Sequence, residues 1–226
     1  GGSDPFIVMP SADLDRAVAT AVEARHINNG QSCIAAKRFI VHERIADAFM
    51  DRFVRRAEAL VLGDPMDDAT DLGPLATEAI RDELAGQVQR SIDAGARLLT
   101  GGRAPDRPGW FHEATVLADV PDHAPAAREE TFGPVAALFT VPDLEAAIRK
   151  ANDTRYGLGA SVWTRDARER DAFIDGIEAG AVFVNRMVAS DPRLPFGGVR
   201  KSGYGRELAR HGMMEFLNIK TVAADD

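Results

Sequence analysis

Short apolar runs separated by amphipathic segments recur along most of the 226 residues, and this alternation restricts the fold more than any other feature. Residues 5–9 read as a buried strand. Ser11 or Asp13 can cap the helix that follows, which carries Leu14, Val18 and Val22 on one face. Residues 38–42 read as a second strand, and Ile45, Phe49, Phe53 and Leu60 form the stripe of the next helix. Ile80, Leu84, Val88 and Ile92 repeat the pattern in a third helix that Gly95 can terminate. Further strands are predicted at 97–100, 115–117, 135–141, 158–163 and 181–185, with helices at 143–152 and 167–179. Strands joined through helices favour parallel pairing with both faces covered. The predicted fold is therefore α/β: a three-layer domain with a mainly parallel sheet between helices. The end breaks the pattern. Residues 205–218 read as a helix and 219–223 as one last strand, which after a long glycine-rich loop is free to pair outside the domain.

Length and charge narrow the role. The chain suffices for one large domain, and 45% hydrophobic with 27% charged residues is ordinary globular composition. A net charge of −8 leaves no basic excess to neutralise phosphates, which argues against a nucleic-acid partner. No apolar run is long enough to cross a bilayer, and residues 1–5 do not read as a signal peptide. One cysteine excludes an internal disulfide and fits a reducing cytoplasm. The sequence holds no zinc-ligand spacing, no phosphate loop of the Walker type and no internal repeat.

Three clusters hold residues suited to chemistry. Cys33 lies in Asn29-Gly30-Gln31-Ser32-Cys33, a run of loop formers between a helix end and a strand. Position alone leaves two readings open: a nucleophile whose thiolate is favoured by loop amides, or a small buried apolar residue. Arg128-Glu129-Glu130-Thr131-Phe132-Gly133-Pro134 offers a carboxylate pair and an aromatic ahead of a strand; taken alone it reads as a solvated loop with one anchoring ring. The stretch from Leu194 to Glu207 contains four glycines, which permit close backbone approach to a ligand, or which make a linker. Phe196 and Tyr204 count against a mere tether.

In order and spacing the three clusters resemble the aldehyde dehydrogenase superfamily, from Gly1 to about Val222. Lys37-Arg38-Phe39-Ile40 and Ala189-Ser190-Asp191 are most similar to its bacterial succinate-semialdehyde dehydrogenases. The resemblance implies an oxidoreductase that uses NAD or NADP and takes a small-molecule aldehyde. Cys33 would be the nucleophile, Glu130 the acceptor for the nicotinamide ribose, and Phe132 the aromatic beside the nicotinamide. Asn185 and Phe196 would shape the site. The resemblance also implies that residues 1–204 form the catalytic domain. Residues 205–226 would form a helix and a swapped strand that builds a homo-oligomer, a dimer or tetramer. Gly1-Gly2 matches the end of a Glu-Leu-Gly-Gly motif whose glutamate is the general base. That glutamate, the oxyanion asparagine and most of a dinucleotide-binding domain are expected outside this chain.

The departures matter for substrate. Arg200 stands where the family usually has lysine, and Ala35 where some members carry a second, redox-active cysteine. Ile27 occupies the position of an arginine that holds the substrate carboxylate in some succinate-semialdehyde enzymes. Arg193, with Ser190 from the same loop, is the expected replacement. Two other readings remain at this point: an acylating relative that hands the thioester to coenzyme A or phosphate, and a domain that only binds or assembles.

Overall fold

The computed structural model describes residues 1–225, and Asp226, the last residue of the expected C-terminal arm, lies outside them. The strands are β1 (Pro5–Val8), β2 (Arg38–His42), β3 (Arg97–Thr100), β4 (Thr115–Ala118), β5 (Val135–Val141), β6 (Gly159–Trp163) and β7 (Ala181–Val184). The helices are α1 (Leu14–His26), α2 (Glu43–Glu58), α3 (Glu78–Asp93), α4 (Pro125–Arg128), α5 (Leu144–Asn152), α6 (Ala167–Gly176) and α7 (Ala209–Met214). One sheet holds the strands in the order β3-β4-β5-β2-β1-β6-β7. Every pairing is parallel except β3 with β4, a hairpin-like edge.

Side chains that alternate along a strand feed two separate cores. Phe6, Val8, Phe39, Val41 and Trp163 pack with α1 and α2 on one face. Ile7, Ile40, Val135, Ala137 and Phe139 pack with α3, α5 and α6 on the other. The α/β, three-layer expectation is met. Helix starts follow side-chain chemistry: Asp13, Thr77, Asp143 and Asp166 each accept a first-turn amide, a contribution of about 1 kcal/mol apiece. Strand β7 stops at Val184, one residue short of expectation, because Asn185 takes a left-handed φ of 54°. No described helix is long and apolar enough to cross a membrane.

The C-terminal reading requires correction. The helix expected over 205–218 shrinks to Ala209–Met214. Gly205 and Leu208 take positive φ, which interrupts a right-handed helix, so α7 begins only at Ala209 (itself at φ 50°), and Glu207 instead pairs with Phe196 in an antiparallel bridge. The strand expected over 219–223 does not form within the chain. A strand exists only through the ladder it makes with a neighbour, and no described strand pairs with these residues. Ile219 and Val222 are left 82% and 78% exposed.

Candidate active site

Loops leading into β1, β2, β5 and β6 meet at the amino ends of the central strands, opposite the crevice that open parallel sheets usually use. The route from α1 to β2 is shaped by asparagine and glycine. Asn28 and Asn29 both adopt left-handed backbone, a conformation their short polar side chains tolerate. Asn28 Nδ2 donates to the Gln31 carbonyl at 2.9 Å, and Asn29 Nδ2 to the Pro74 carbonyl at 3.2 Å. At Gly30, φ is +74° and a Cβ would lie 2.3 Å from the Gly133 carbonyl oxygen. Only glycine lets the two loops touch backbone to backbone.

The chain then closes a tight turn, with Ala35 N donating to the Ser32 carbonyl at 3.1 Å. Cys33 sits on this turn, partly exposed. It borders a pocket of about 160 Å³ together with Gly1, Leu158, Phe196, Gly198 and Glu207. Beneath the turn lies Lys37, whose side chain is 1% exposed. Its ammonium donates to the carbonyls of Ser32, Cys33 and Ala35 at 2.9, 3.1 and 3.0 Å. Gly2 presses on the same turn; a Cβ there would stand 2.6 Å from the Cys33 carbonyl oxygen.

Glu130 reaches this point from the loop ahead of β5. Its Oε1 accepts the Gly2 amide at 3.0 Å and lies 3.7 Å from Lys37 Nζ. Glu130 and Phe132 line a cleft of about 490 Å³ with Leu84, Gln87 and Tyr156. The thiol pocket and this cleft adjoin at Gly1-Gly2, since Gly1 borders the first and Gly2 bonds the carboxylate of the second. The structure thus brings Cys33 near Glu130 and Phe132, which lie in a distant part of the chain.

Arg25, Lys37 and Arg38 are buried around the site, with Asp4 among them. Burial lowers Lys37 to about 8, against the opposing pull of Asp4 and Glu130. Burial likewise lowers Arg25 to about 9 and Arg38 to about 10, so both keep their charge at neutral pH. Burial raises Asp4 to about 7, with Lys37 drawing it back down. Each cation is tied to main-chain carbonyls: Arg25 to Gly30 and Val135, and Arg38 to Ser3, Lys150 and Ala151. Nothing in the sequence reading gave these residues a role. The available signal was a pair of cations, Lys37-Arg38, set directly against the apolar run Phe39-Ile40-Val41.

Arg193 and Ser190 stand apart. Neither lines the thiol pocket, and both are exposed. The Arg193 guanidinium grips Asp191 through Nε at 2.9 Å and Nη2 at 2.6 Å, which holds the Asp191 carboxyl well below the usual range. Asn185 makes no pocket wall; its amide ties the end of β6 by bonding both the N–H and the carbonyl of Thr164. Among the described residues no cluster of histidine, cysteine and carboxylate side chains is arranged to hold a metal.

The fold is an α/β protein with a sheet covered on both faces and one partly exposed thiol presented beside a carboxylate-lined cleft. The sequence pattern of the aldehyde dehydrogenase family matches residues 1–222, and the chain belongs to that family. It is 60% identical over 222 residues to the succinate-semialdehyde dehydrogenase [NADP(+)] of Mycolicibacterium paratuberculosis, covering 98% of this chain and 47% of that protein. Against succinate-semialdehyde dehydrogenase [NADP(+)] 1 of Mycobacterium tuberculosis strain H37Rv it is 59% identical, with 98% and 49% covered. The solved structure of Gox0499, from work on its cofactor and substrate selection, superposes with a TM-score of 0.96 at 44% identity, covering 100% of this chain and 49% of that one. Lactaldehyde dehydrogenase from Escherichia coli gives 0.96 at 36% identity, with 98% and 47% covered. The chain spans about half the length of the curated relatives it matches.

Proposed function

We propose that this chain carries the nucleophile and the nicotinamide-facing wall of an NADP-dependent dehydrogenase that oxidises succinate semialdehyde to the acid. The observation that supports it most is the junction at Gly1-Gly2, where the Cys33 pocket adjoins the Glu130–Phe132 cleft. The relatives named above supply the aldehyde and the cofactor preference by similarity.

The cleft suits the nicotinamide end of the cofactor: a carboxylate that accepts hydroxyl hydrogen bonds, beside a partly buried aromatic ring. NADP, when bound, supplies the hydride acceptor. Cys33 Sγ, as thiolate, forms a bond to the aldehyde carbon, and the carbonyl π pair moves to oxygen. The Cys33 amide faces that developing charge as a hydrogen-bond donor. Loss of hydride from the same carbon leaves a thioester on Sγ. Water then breaks the C–S bond, giving the acid and restoring the thiol. Glu130 and Phe132 orient the acceptor and take no part in bond making.

Arg193 is proposed to hold the distal carboxylate of the substrate, exchanging part of its contact with Asp191, while Ser190 donates from the same loop. In the complete protein, Arg193→Ala is expected to lower kcat/KM for succinate semialdehyde about ten- to a hundredfold, the worth of a charge-assisted hydrogen bond of roughly 1.5–3 kcal/mol. NADPH formation with an uncharged aldehyde of equal length should barely change. Equal losses on both substrates would show that Arg193 only braces the loop through Asp191.

Residues 219–223 are proposed as the pairing arm of a homo-oligomer. Phe216, Ile219 and Val222 lie open to solvent, and an unpaired apolar segment gains by joining the sheet edge of a neighbour. Removal of residues 220–226 should shift the mass found by light scattering to smaller species; an unchanged mass would exclude the arm. A single cysteine fits residence in the cytoplasm.

A further inference from the structure

We propose that Lys37 is a positioning residue that aims the Cys33 amide into the pocket by holding the carbonyls of the nucleophile turn on the opposite side. The inference rests on the dehydrogenase reading above and assigns a role to a side chain that never meets the substrate.

An ammonium has three N–H donors and no acceptor. All three are used on one turn: Nζ bonds the carbonyl oxygens of Ser32, Cys33 and Ala35 within 3.1 Å. Every peptide here is trans, so each C=O and the following N–H lie in one plane and point in opposite directions. A Ser32 carbonyl held down on Lys37 therefore turns the Cys33 N–H upward, away from the ammonium. A Cys33 carbonyl held down does the same for the N–H of Ile34. Without a central cation, carbonyls converging beneath a thiolate would repel it and would themselves lose their partners. They also follow the C-terminal end of α1, whose own carbonyls add partial negative charge.

The surroundings leave the ammonium little choice of place. Arg25 lies beside it and is committed to Gly30 and Val135. Arg38 faces the other way, onto Ser3 and the end of α5. Asp4 and Glu130 supply the balancing charge, and Glu130 Oε1 at 3.7 Å is too distant to take a donor from the carbonyls. The nucleophile turn and the cofactor cleft thus share one buried cation.

The test compares two reactions of Cys33 in the complete protein. Oxidation of succinate semialdehyde needs the amide donor, whereas alkylation by iodoacetamide, followed on the Cys33 peptide by mass spectrometry, does not. Lys37→Met is expected to lower kcat about a hundredfold, the usual loss for one oxyanion donor. Its alkylation rate should fall by less than about tenfold, the effect of losing a cation beneath the thiolate with no amide donor involved, and its Kd for NADP should stay within about threefold, because Glu130 and Phe132 remain to line the cofactor cleft. Parallel losses in turnover and alkylation would reduce Lys37 to a structural support and overturn the proposal. Should Lys37→Met fail to fold, Lys37→Arg carries the test. A planar guanidinium cannot converge on three carbonyls, so kcat should drop at least about tenfold with alkylation retained. An unchanged kcat would overturn the proposal. If the wild-type protein oxidises no aldehyde, the dehydrogenase reading itself falls, and this inference with it. Wild-type turnover that survives in both variants removes Lys37 alone.

Discussion

If Cys33 is the nucleophile proposed above, replacing it with serine in the complete protein is expected to lower NADPH formation on the order of 10⁴-fold or more, the scale of loss when a nucleophile acting within a concerted set is taken away. A serine hydroxyl holds its proton near neutral pH and lacks the nucleophilicity of a thiolate. The loss belongs to chemistry and not to folding. Cys33 is partly exposed on a turn whose shape comes from Gly30, Lys37 and the Ala35–Ser32 bond, none of which involves Sγ. Exchanging sulfur for oxygen there should alter stability by less than about 0.5 kcal/mol, as for most substitutions away from a core. The melting temperature and the affinity for NADP check the second half of the statement, and steady-state NADPH absorbance checks the first. Serine turnover within tenfold of wild type would remove Cys33 from the chemistry.

Glu130→Gln separates two steps. Glutamine has nearly the same shape and still accepts the Gly2 amide, so the loop ahead of β5 keeps its place. It gives up the charge that faces Lys37 and that, in the function proposed above, would draw ribose hydroxyls. A nicotinamide displaced by about 1 Å from the reacting carbon slows hydride transfer on the order of a hundredfold. Rapid-mixing measurements should therefore show a slow first turnover of NADPH, while saturating aldehyde still protects Cys33 from alkylation at the wild-type concentration. A burst of unchanged rate would mean that Glu130 does not position the cofactor.

Sequence reading recovered the frame because the frame is local. Residues 5–8 and 135–141 announce buried strands by mostly apolar character and residues 38–42 by the run Phe39-Ile40-Val41, and Asp13, Thr77, Asp143 and Asp166 announce helix starts by their side chains. The order of three motifs singles out Cys33, Glu130 and Phe132, which the fold brings to the same end of the sheet. The buried cations were not legible. A lysine or arginine ahead of a strand normally reads as solvated, and only the stacking of loops from four separate strands shows that Lys37, Arg25 and Arg38 have main-chain carbonyls for partners. The C-terminal helix misled for the opposite reason. Residues 205–218 have a helical pattern, but the pairing of Glu207 with Phe196 recruits that stretch into the glycine loop. Leu208 and Ala209 accept left-handed backbone as the cost.

Because the reactive groups sit at strand ends, their spacing is inherited from strand register. Pro5 stands opposite Arg38, Arg38 opposite Ala137, and Phe6 opposite Ser161. A slip of one residue in any of these pairings would carry a loop about 3.3 Å along its strand and turn the wrong face inward. The contacts that close the site span great stretches of chain: Gly2 to Glu130 crosses 128 residues, and Gly159 to Asp4 crosses 155. Closures of that length form late and slowly, because the chain gives up its freedom before the contact rewards it. During synthesis Cys33 thus lacks its Leu158 wall until the sixth strand has docked beside the first. The thiol pocket is therefore completed only with the sheet, and a change in the alkylation rate at Cys33 would serve as a clock for that completion.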